Sequence, residues 1–144
     1  MKNGRSATRT FAMVWGAGFL LAGASGFIPG LWHPAPASYP DLAVDSFYGD
    51  ALGLFPVNIL HNIVHLVFGV WGLVASKSHP AAKGYAKVVA VAYALLVVMG
   101  LIPGLNTTFG LIPLFGNDVW LHVLLAAPAA YFGFFHKDAA ANRR

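Results

Sequence analysis

Apolar residues along this chain fall into four long runs, and every charged residue except Lys87 and Asp118 lies between or beyond them. The runs cover residues 11–31, 57–76, 85–105 and 114–135. Each is close to the roughly 20 residues that a helix needs to cross about 30 Å of hydrocarbon. The pattern therefore predicts an all-α fold: a four-helix bundle integral to a membrane, with one transmembrane domain over residues 1–144.

The composition supports this prediction. Hydrophobic residues make up 58% of the chain and charged residues 10%, whereas soluble domains average about 25% charged residues. The net charge of +4 comes from dispersed basic residues, so we expect the lipid bilayer and not nucleic acid as a partner. The absence of cysteine excludes disulfides, Fe–S clusters and cysteine zinc sites.

Lysine and arginine are confined to alternate connections. All nine lie in the two tails, in the loop after the second run or near the start of the third: Lys2, Arg5, Arg9, Lys77, Lys83, Lys87, Lys137, Arg143 and Arg144. The opposite connections and the start of the fourth run carry Asp41, Asp45, Asp50 and Asp118. Positive residues stay on the cytoplasmic side, which predicts a multi-pass protein of a bacterial inner membrane with both termini in the cytoplasm.

The first run also resembles a signal peptide, with a basic start and small residues at 22–24. We expect it to be retained, because the motif that closes it recurs later. GFIPGL at 26–31 matches GLIPGL at 100–105, and GLFP at 53–56 matches GLIP at 110–113. Counting nine residues on from Pro56 and Pro113 reaches His65 and His122. This predicts two parallel repeats of a helical hairpin. The alternative, that such motifs are common helix ends, stays open.

Polar residues within the apolar runs cluster in the early turns of the second and fourth. His61 and His65 are four apart and share a helix face, as do Asp118 and His122. If the hairpins pack symmetrically, these four side chains converge. The supporting polar residues are Asn58, Asn62 and Asn117.

Two interpretations of this cluster remain open. One is an interhelical hydrogen-bond network. The other is a ligand site, because imidazoles with a carboxylate suit transition metals, and His65 with His122 could be axial ligands of haem or a related pigment. No paired carboxylates, nucleophile motif or phosphate loop is present, so we predict no catalytic residues. His33, His79 and His136 are interpreted as surface residues.

The run from Asn58 to His65, followed by Gly69, resembles a family of small four-helix bacterial membrane proteins. That family, a domain of unknown function, shows an N-x-x-H-N-x-x-H-x-x-x-G pattern, and its later acidic and Leu-His signature is similar to Asp118 and Leu121-His122. The resemblance implies the architecture and draws attention to the cluster, and it implies no reaction.

The sequence thus leads to two functional hypotheses. The first is a non-enzymatic membrane protein, an accessory subunit of a larger membrane complex or a homo-oligomer, in which the cluster joins the hairpins. The second is a haem-, pigment- or metal-binding membrane protein that uses His61, His65, Asp118 and His122 as ligands.

Overall fold

The computed structural model describes residues 6–138, so Lys2, Arg5, Arg143 and Arg144 lie outside the described part. The described residues form four helices, with a small sheet inserted between the first two. The elements follow in the order α1 (Ala7–Ser25), β1 (Trp32–Pro34), β2 (Gly49–Ala51), β3 (Phe55–Val57), α2 (Ile59–Ala75), α3 (His79–Leu101) and α4 (Asn117–Ala130), and α4 continues into a π-helical turn (Tyr131–Phe135). We call the end that carries the sheet the sheet end, and the end that carries residues 6 and 138 the tail end.

Each of the first three helices begins at a polar capping residue. The side chains of Ser6, Asn58 and Ser78 each accept a hydrogen bond from the amide three residues further on, which pairs a donor that the helix leaves free. The four helices match the four apolar runs, but their ends differ. The first was expected to reach residue 31, whereas α1 ends at Ser25 and the next residues form turns and a bridge.

The expectation of an all-α fold is wrong for the long connection between α1 and α2. This segment forms a three-stranded antiparallel sheet in the order β1-β2-β3. Trp32 pairs with Ala51, and Gly49 pairs with Val57. The Tyr39 hydroxyl donates to Asp50 Oδ1 at 2.8 Å, which fixes the loop between β1 and β2. The sheet therefore holds the connection against the ends of the helices.

Helices α1 and α2 pack backbone to backbone through glycines. A methyl group placed on Gly16 would lie 2.7 Å from the Leu73 amide nitrogen and 2.8 Å from the Gly69 carbonyl oxygen. One on Gly72 would lie 2.8 Å from the Gly16 Cα. Small residues permit this close approach, which helps helices associate where lipid removes the hydrophobic drive.

The second pair of helices, α3 and α4, also pack against each other. Towards the tail end α1 also reaches α4: the Trp15 indole N–H donates to the Leu125 carbonyl at 3.2 Å, and the rings of Phe11 and Phe132 stack with centroids 4.9 Å apart. These contacts close the bundle at its tail end.

The proposed repeat has similar backbone conformations at matched positions. Gly30 and Gly104 have φ of 88° and 89°, and Gly53 and Gly110 have φ of 65° and 85°. Glycine adopts positive φ at little cost, so the matched glycines share a left-handed backbone conformation. Duplication of the chain itself stays a prediction.

Two helices of the described part are long and apolar enough to cross a membrane. They are α3 and the continuous helix Asn117–Phe135, of 23 and 19 residues. The apolar helix α2 has 17 residues, which corresponds to about 25 Å at about 1.5 Å per residue.

Candidate functional site

The predicted polar residues of α2 and α4 meet inside the bundle near the sheet end. His61 and His65 lie one turn apart in α2, and Asp118 and His122 lie one turn apart in α4. All four are buried, with exposed fractions between 0% and 5%. We call these four residues the histidine cluster.

The three imidazoles converge on one point. Each of these histidines, His61, His65 and His122, offers one ring nitrogen. The three nitrogens all lie within 4.8 Å of one another. Asp118 lies beside them, with its Oδ1 3.8 Å from His61 Nε2 and its Oδ2 3.5 Å from His122 Nε2. Both distances exceed the 2.7–3.2 Å typical of a hydrogen bond to nitrogen.

Several polar atoms of the cluster have no hydrogen-bond partner among the described residues. They include His65 Nε2, both ring nitrogens of His122 and both carboxylate oxygens of Asp118. A buried polar group left without a partner costs about 1–3 kcal/mol. The four side chains therefore face one another with hydrogen-bonding capacity that the described residues leave unused.

The spacing of the rings suits a small ion better than a flat macrocycle. The His61 ring lies against His65, with centroids 4.6 Å apart, and also 6.0 Å from His122. Tyr93 of α3 lies 4.9 Å from His122 and 6.4 Å from His65. His61 and Tyr93 therefore each pack against both His65 and His122.

Sequence reasoning missed two aromatic residues that complete the site. Tyr93 is 1% exposed and its hydroxyl has no hydrogen-bond partner among the described residues. Phe19 of α1 packs edge-on against His65 at 5.5 Å. Nothing in the sequence separates Tyr93 from Tyr85 of the same helix, or Phe19 from the other phenylalanines.

The three asparagines differ in their roles. Asn58 is buried, and its side-chain amide donates to the carbonyls of Val44 and Leu111 at 2.8 and 2.6 Å, so it joins two connections at the sheet end. Asn62 is buried against Gly26, where a methyl group would clash with its side chain. Asn117 is exposed and donates to the Leu54 carbonyl at 3.2 Å, which places it outside the cluster.

Two cavities adjoin the histidine cluster. A cavity of about 180 Å³ lies on the α3 side and is lined by all three histidines and Tyr93. A larger one, of about 440 Å³, lies between α1, α4 and the sheet and reaches His65 and Asp118. His65 lines both cavities.

A second group of histidines surrounds a carboxylate at the tail end. Asp138, 7% exposed, lies 2.9 Å from His79 Nδ1 and 3.2 Å from His136 Nε2. It also accepts a hydrogen bond from the Ala7 amide at 2.9 Å. We call His79, His136 and Asp138 the Asp138 clamp. The interpretation of His79 and His136 as surface residues holds only in part, because both rings are half-buried; the ring of His33 is exposed as expected.

Burial alone would raise the pKa of Asp138. Interactions with Thr8, with the His136 ring and with the Ala7 amide outweigh that effect and lower the pKa below its usual value. The ionised carboxylate therefore joins the first residues of α1 and α3 to the end of the last helix.

Comparison with known proteins identifies the family and no more. No curated protein and no solved structure is significantly similar to the chain. The model of one family, a domain of unknown function designated DUF4383, matches residues 9–135. That range includes all of α1 except its first two residues, all of α2–α4, the sheet and the whole histidine cluster. The chain therefore belongs to the DUF4383 family.

Proposed function

We propose that this protein is a membrane protein that binds one divalent transition-metal ion at His61, His65 and His122. The observation that carries the proposal is the convergence of three buried imidazole nitrogens within 4.8 Å of one another. Nitrogen ligands bind zinc at about 2.0–2.1 Å with tetrahedral geometry, so two ligands of one ion lie about 3.4 Å apart. The three rings would therefore move closer together when the ion binds.

Asp118 supplies the carboxylate of the site. With an oxygen 3.5 Å from His122 Nε2 and another 3.8 Å from His61 Nε2, it can become a fourth ligand. It can equally orient an imidazole whose other nitrogen binds the ion, as carboxylates near metal-bound histidines commonly do. Three imidazoles with one carboxylate suit zinc, iron, copper or nickel.

A pure hydrogen-bond network accounts less well for the same residues. In such a network each ring would meet a carbonyl, an asparagine or Asp118 at about 2.7–3.2 Å. Both ring nitrogens of His122 and both oxygens of Asp118 lack such a partner among residues 6–138. A metal ion would engage several of these atoms at once.

The membrane setting rests on the surfaces of the helices and on charge. Each helix exposes more than half of at least one large apolar side chain, namely Leu21, Val67, Leu95 and Leu124. The described basic residues lie towards the tail end: Arg9, Lys77, Lys83, Lys87 and Lys137. Asp41, Asp45 and Asp50 lie in the sheet-end connection. By the positive-inside rule the tail end, with both termini, faces the cytoplasm of a bacterial inner membrane.

Metal analysis of the purified protein tests this function. Protein in mild detergent, stripped with chelator and reloaded with Co²⁺, should bind about one ion per chain and show the visible absorbance of a four-coordinate site. His122→Ala should lose that absorbance and most of the bound metal. His33→Ala is the matched control, because His33 is an exposed histidine at the same end of the bundle.

A metal-free wild-type protein that also fails to take up Co²⁺, Zn²⁺, Cu²⁺ or Ni²⁺ would overturn the proposal. The cluster would then be a polar contact between hairpins, and the accessory subunit of a larger membrane complex would be the better hypothesis. Equal loss of metal from His33→Ala and His122→Ala would place the binding site elsewhere.

A further inference from the structure

The larger cavity has the form of a side entrance to the histidine cluster. It lies between the sheet-end halves of α1 and α4, with the sheet above it, and measures about 440 Å³. Small-molecule sites typically measure about 300–1,000 Å³. Its walls are almost entirely apolar and include Leu21, Ile28, Leu31, Phe55 and Leu121.

The mouth of this cavity consists of apolar side chains that α1 and the sheet leave uncovered. Leu21 is 74% exposed, Leu52 52% and Ile28 45%. Towards the tail end the two helices are joined by Trp15 and Leu125, so the gap between them is confined to the sheet end. In the proposed membrane this gap opens sideways into lipid, where an apolar chain can enter without crossing water.

The inner wall of the cavity is polar. His65 and Asp118 both line it, although they are only 5% and 1% exposed. His65 Nε2 and both Asp118 oxygens lack a hydrogen-bond partner among the described residues. A ligand with one polar end and a long apolar body would match both parts of the cavity.

The net charge at the metal site determines which polar group the ligand should carry. A divalent ion held by three neutral imidazoles beside the Asp118 carboxylate leaves one net positive charge, buried among apolar side chains. Isolated buried charge is costly, and pairing with an opposite charge relieves the cost. Among the described residues that line the cavity there is no lysine or arginine, so without the ion an anionic headgroup would face Asp118 alone.

We infer that this cavity binds a long-chain carboxylate, a free fatty acid, whose headgroup reaches the metal ion at the histidine cluster. The carboxylate approaches between His65 and Asp118, and the chain lies along α1 between Leu21 and Leu31. The inference rests on the proposed metal site and adds the class of ligand. Binding requires the ion, because the ion supplies the charge that the headgroup pairs with.

Photo-crosslinking in vesicles tests the inference. A hexadecanoic acid that carries a diazirine on its chain is presented to Co²⁺-loaded and to metal-stripped protein, with the matching hexadecanol probe in parallel. The loaded protein should be labelled by the acid on peptides that contain Leu21, Leu52 or Leu121, at least tenfold more than the stripped protein. Excess unlabelled palmitate should compete, and the alcohol should label weakly in both states.

Two substitutions on one helix make the test specific. Ala22→Phe fills the cavity, since Ala22 lines it, and should reduce competable labelling at least tenfold while the Co²⁺ absorbance persists. Ala17→Phe is the matched control, because Ala17 is exposed on α1 and does not line the cavity. If Ala22→Phe also loses Co²⁺, Ala24→Phe on the same cavity wall replaces it.

The outcomes separate the two proposals. Protein that binds Co²⁺ but shows no competable labelling overturns the fatty-acid inference and leaves the metal site intact. Equal labelling of loaded and stripped protein, or equal labelling by acid and alcohol, overturns the role of the ion in binding the headgroup. Protein that binds no metal overturns the metal site, and the inference falls with it.

Discussion

The two ends of this molecule use the same residue types in different ways. At the tail end Asp138 lies 2.9 and 3.2 Å from the rings of two histidines, and the Ala7 amide donates to it as well. At the sheet end Asp118 lies 3.5 and 3.8 Å from two histidines and has no hydrogen-bond partner among the described residues. Close contact binds the carboxylate to its neighbours, whereas the looser spacing leaves room for a ligand.

The difference shows why residue types alone do not identify a site. Both groups contain one aspartate and at least two histidines, brought together from separate helices. In the Asp138 clamp the carboxylate lies within 3.2 Å of both imidazoles and accepts a hydrogen bond from the Ala7 amide, so its role is to hold the helix ends together. In the histidine cluster the donor and acceptor atoms face one another across a space. Measurements that separate these two roles are therefore the most informative.

The largest contrast is expected for metal affinity. Asp118→Asn should weaken metal binding about 10- to 100-fold, the usual cost of removing a carboxylate beside metal-bound histidines. Asp138→Asn should leave it unchanged, because Asp138 lies at the opposite end of the bundle. Competition with a chromophoric chelator measures both constants. A similar loss in both variants would remove the functional distinction between the two ends.

The Asp138 clamp should matter for stability. Asp138→Ala removes the acceptor of the Ala7 amide and the partner of two imidazoles, and it should lower the free energy of unfolding by about 1–3 kcal/mol. Denaturation of the purified protein in detergent by increasing SDS measures the change. The control is Asp45→Ala, which removes an exposed carboxylate from the sheet-end connection. No loss for Asp138→Ala would mean that these close contacts do not stabilise the fold.

The clamp should also depend on pH in a defined direction. Interactions hold the folded pKa of Asp138 below its usual value, which for an unfolded aspartate is about 3.9. Its stabilising effect is therefore complete above that pH and is lost as pH falls through the folded pKa. Thermal unfolding is measured between about pH 6 and 2.5. The unfolding temperatures of wild type and Asp138→Asn should differ at pH 6 and converge at the acid end. A difference in unfolding temperature that grows towards acid pH would contradict the lowered pKa of Asp138.

The smallest effect is expected for the hydrogen bond from Tyr39 to the Asp50 carboxylate at the sheet end. Burial, with the hydrogen bond to Asp50 and its charge, raises the pKa of Tyr39 to about 12. Tyr39→Phe removes this part-buried hydrogen bond. It should lower the free energy of unfolding by about 0.5–1.5 kcal/mol and leave the metal affinity unchanged. Chemical denaturation and metal titration of this variant check both. A change in metal affinity would show that the sheet positions the histidine cluster.

The helices of the fold were predictable, and the sheet was not. Four apolar runs of sufficient length predict four helices, although the structure ends α1 at Ser25. The strands have three residues each, too short for an alternating pattern. They also depend on pairing between Trp32 and Ala51, which are far apart in the sequence.

For the site, the spacing of residues in the sequence predicted which side chains share a helix face. It did not predict the distances between side chains of different helices. Separations of four residues placed His61 with His65 and Asp118 with His122 on shared helix faces, and the structure brings these pairs together. Nothing in the sequence indicates that Tyr93 joins them, because its contacts come from the packing of α3. Asp138 was missed for a similar reason: Ala7 and His79 are distant in sequence.

The glycine contact between α1 and α2 has a consequence for biosynthesis. Gly16 meets Gly69 and Gly72 through the backbones of the first two helices, so this contact can form as soon as both helices have left the ribosome. His61 and His65 are then in place, whereas His122 arrives with the last helix. A metal ion would find its full set of ligands only on a finished chain, and its capture would mark the end of assembly in the membrane.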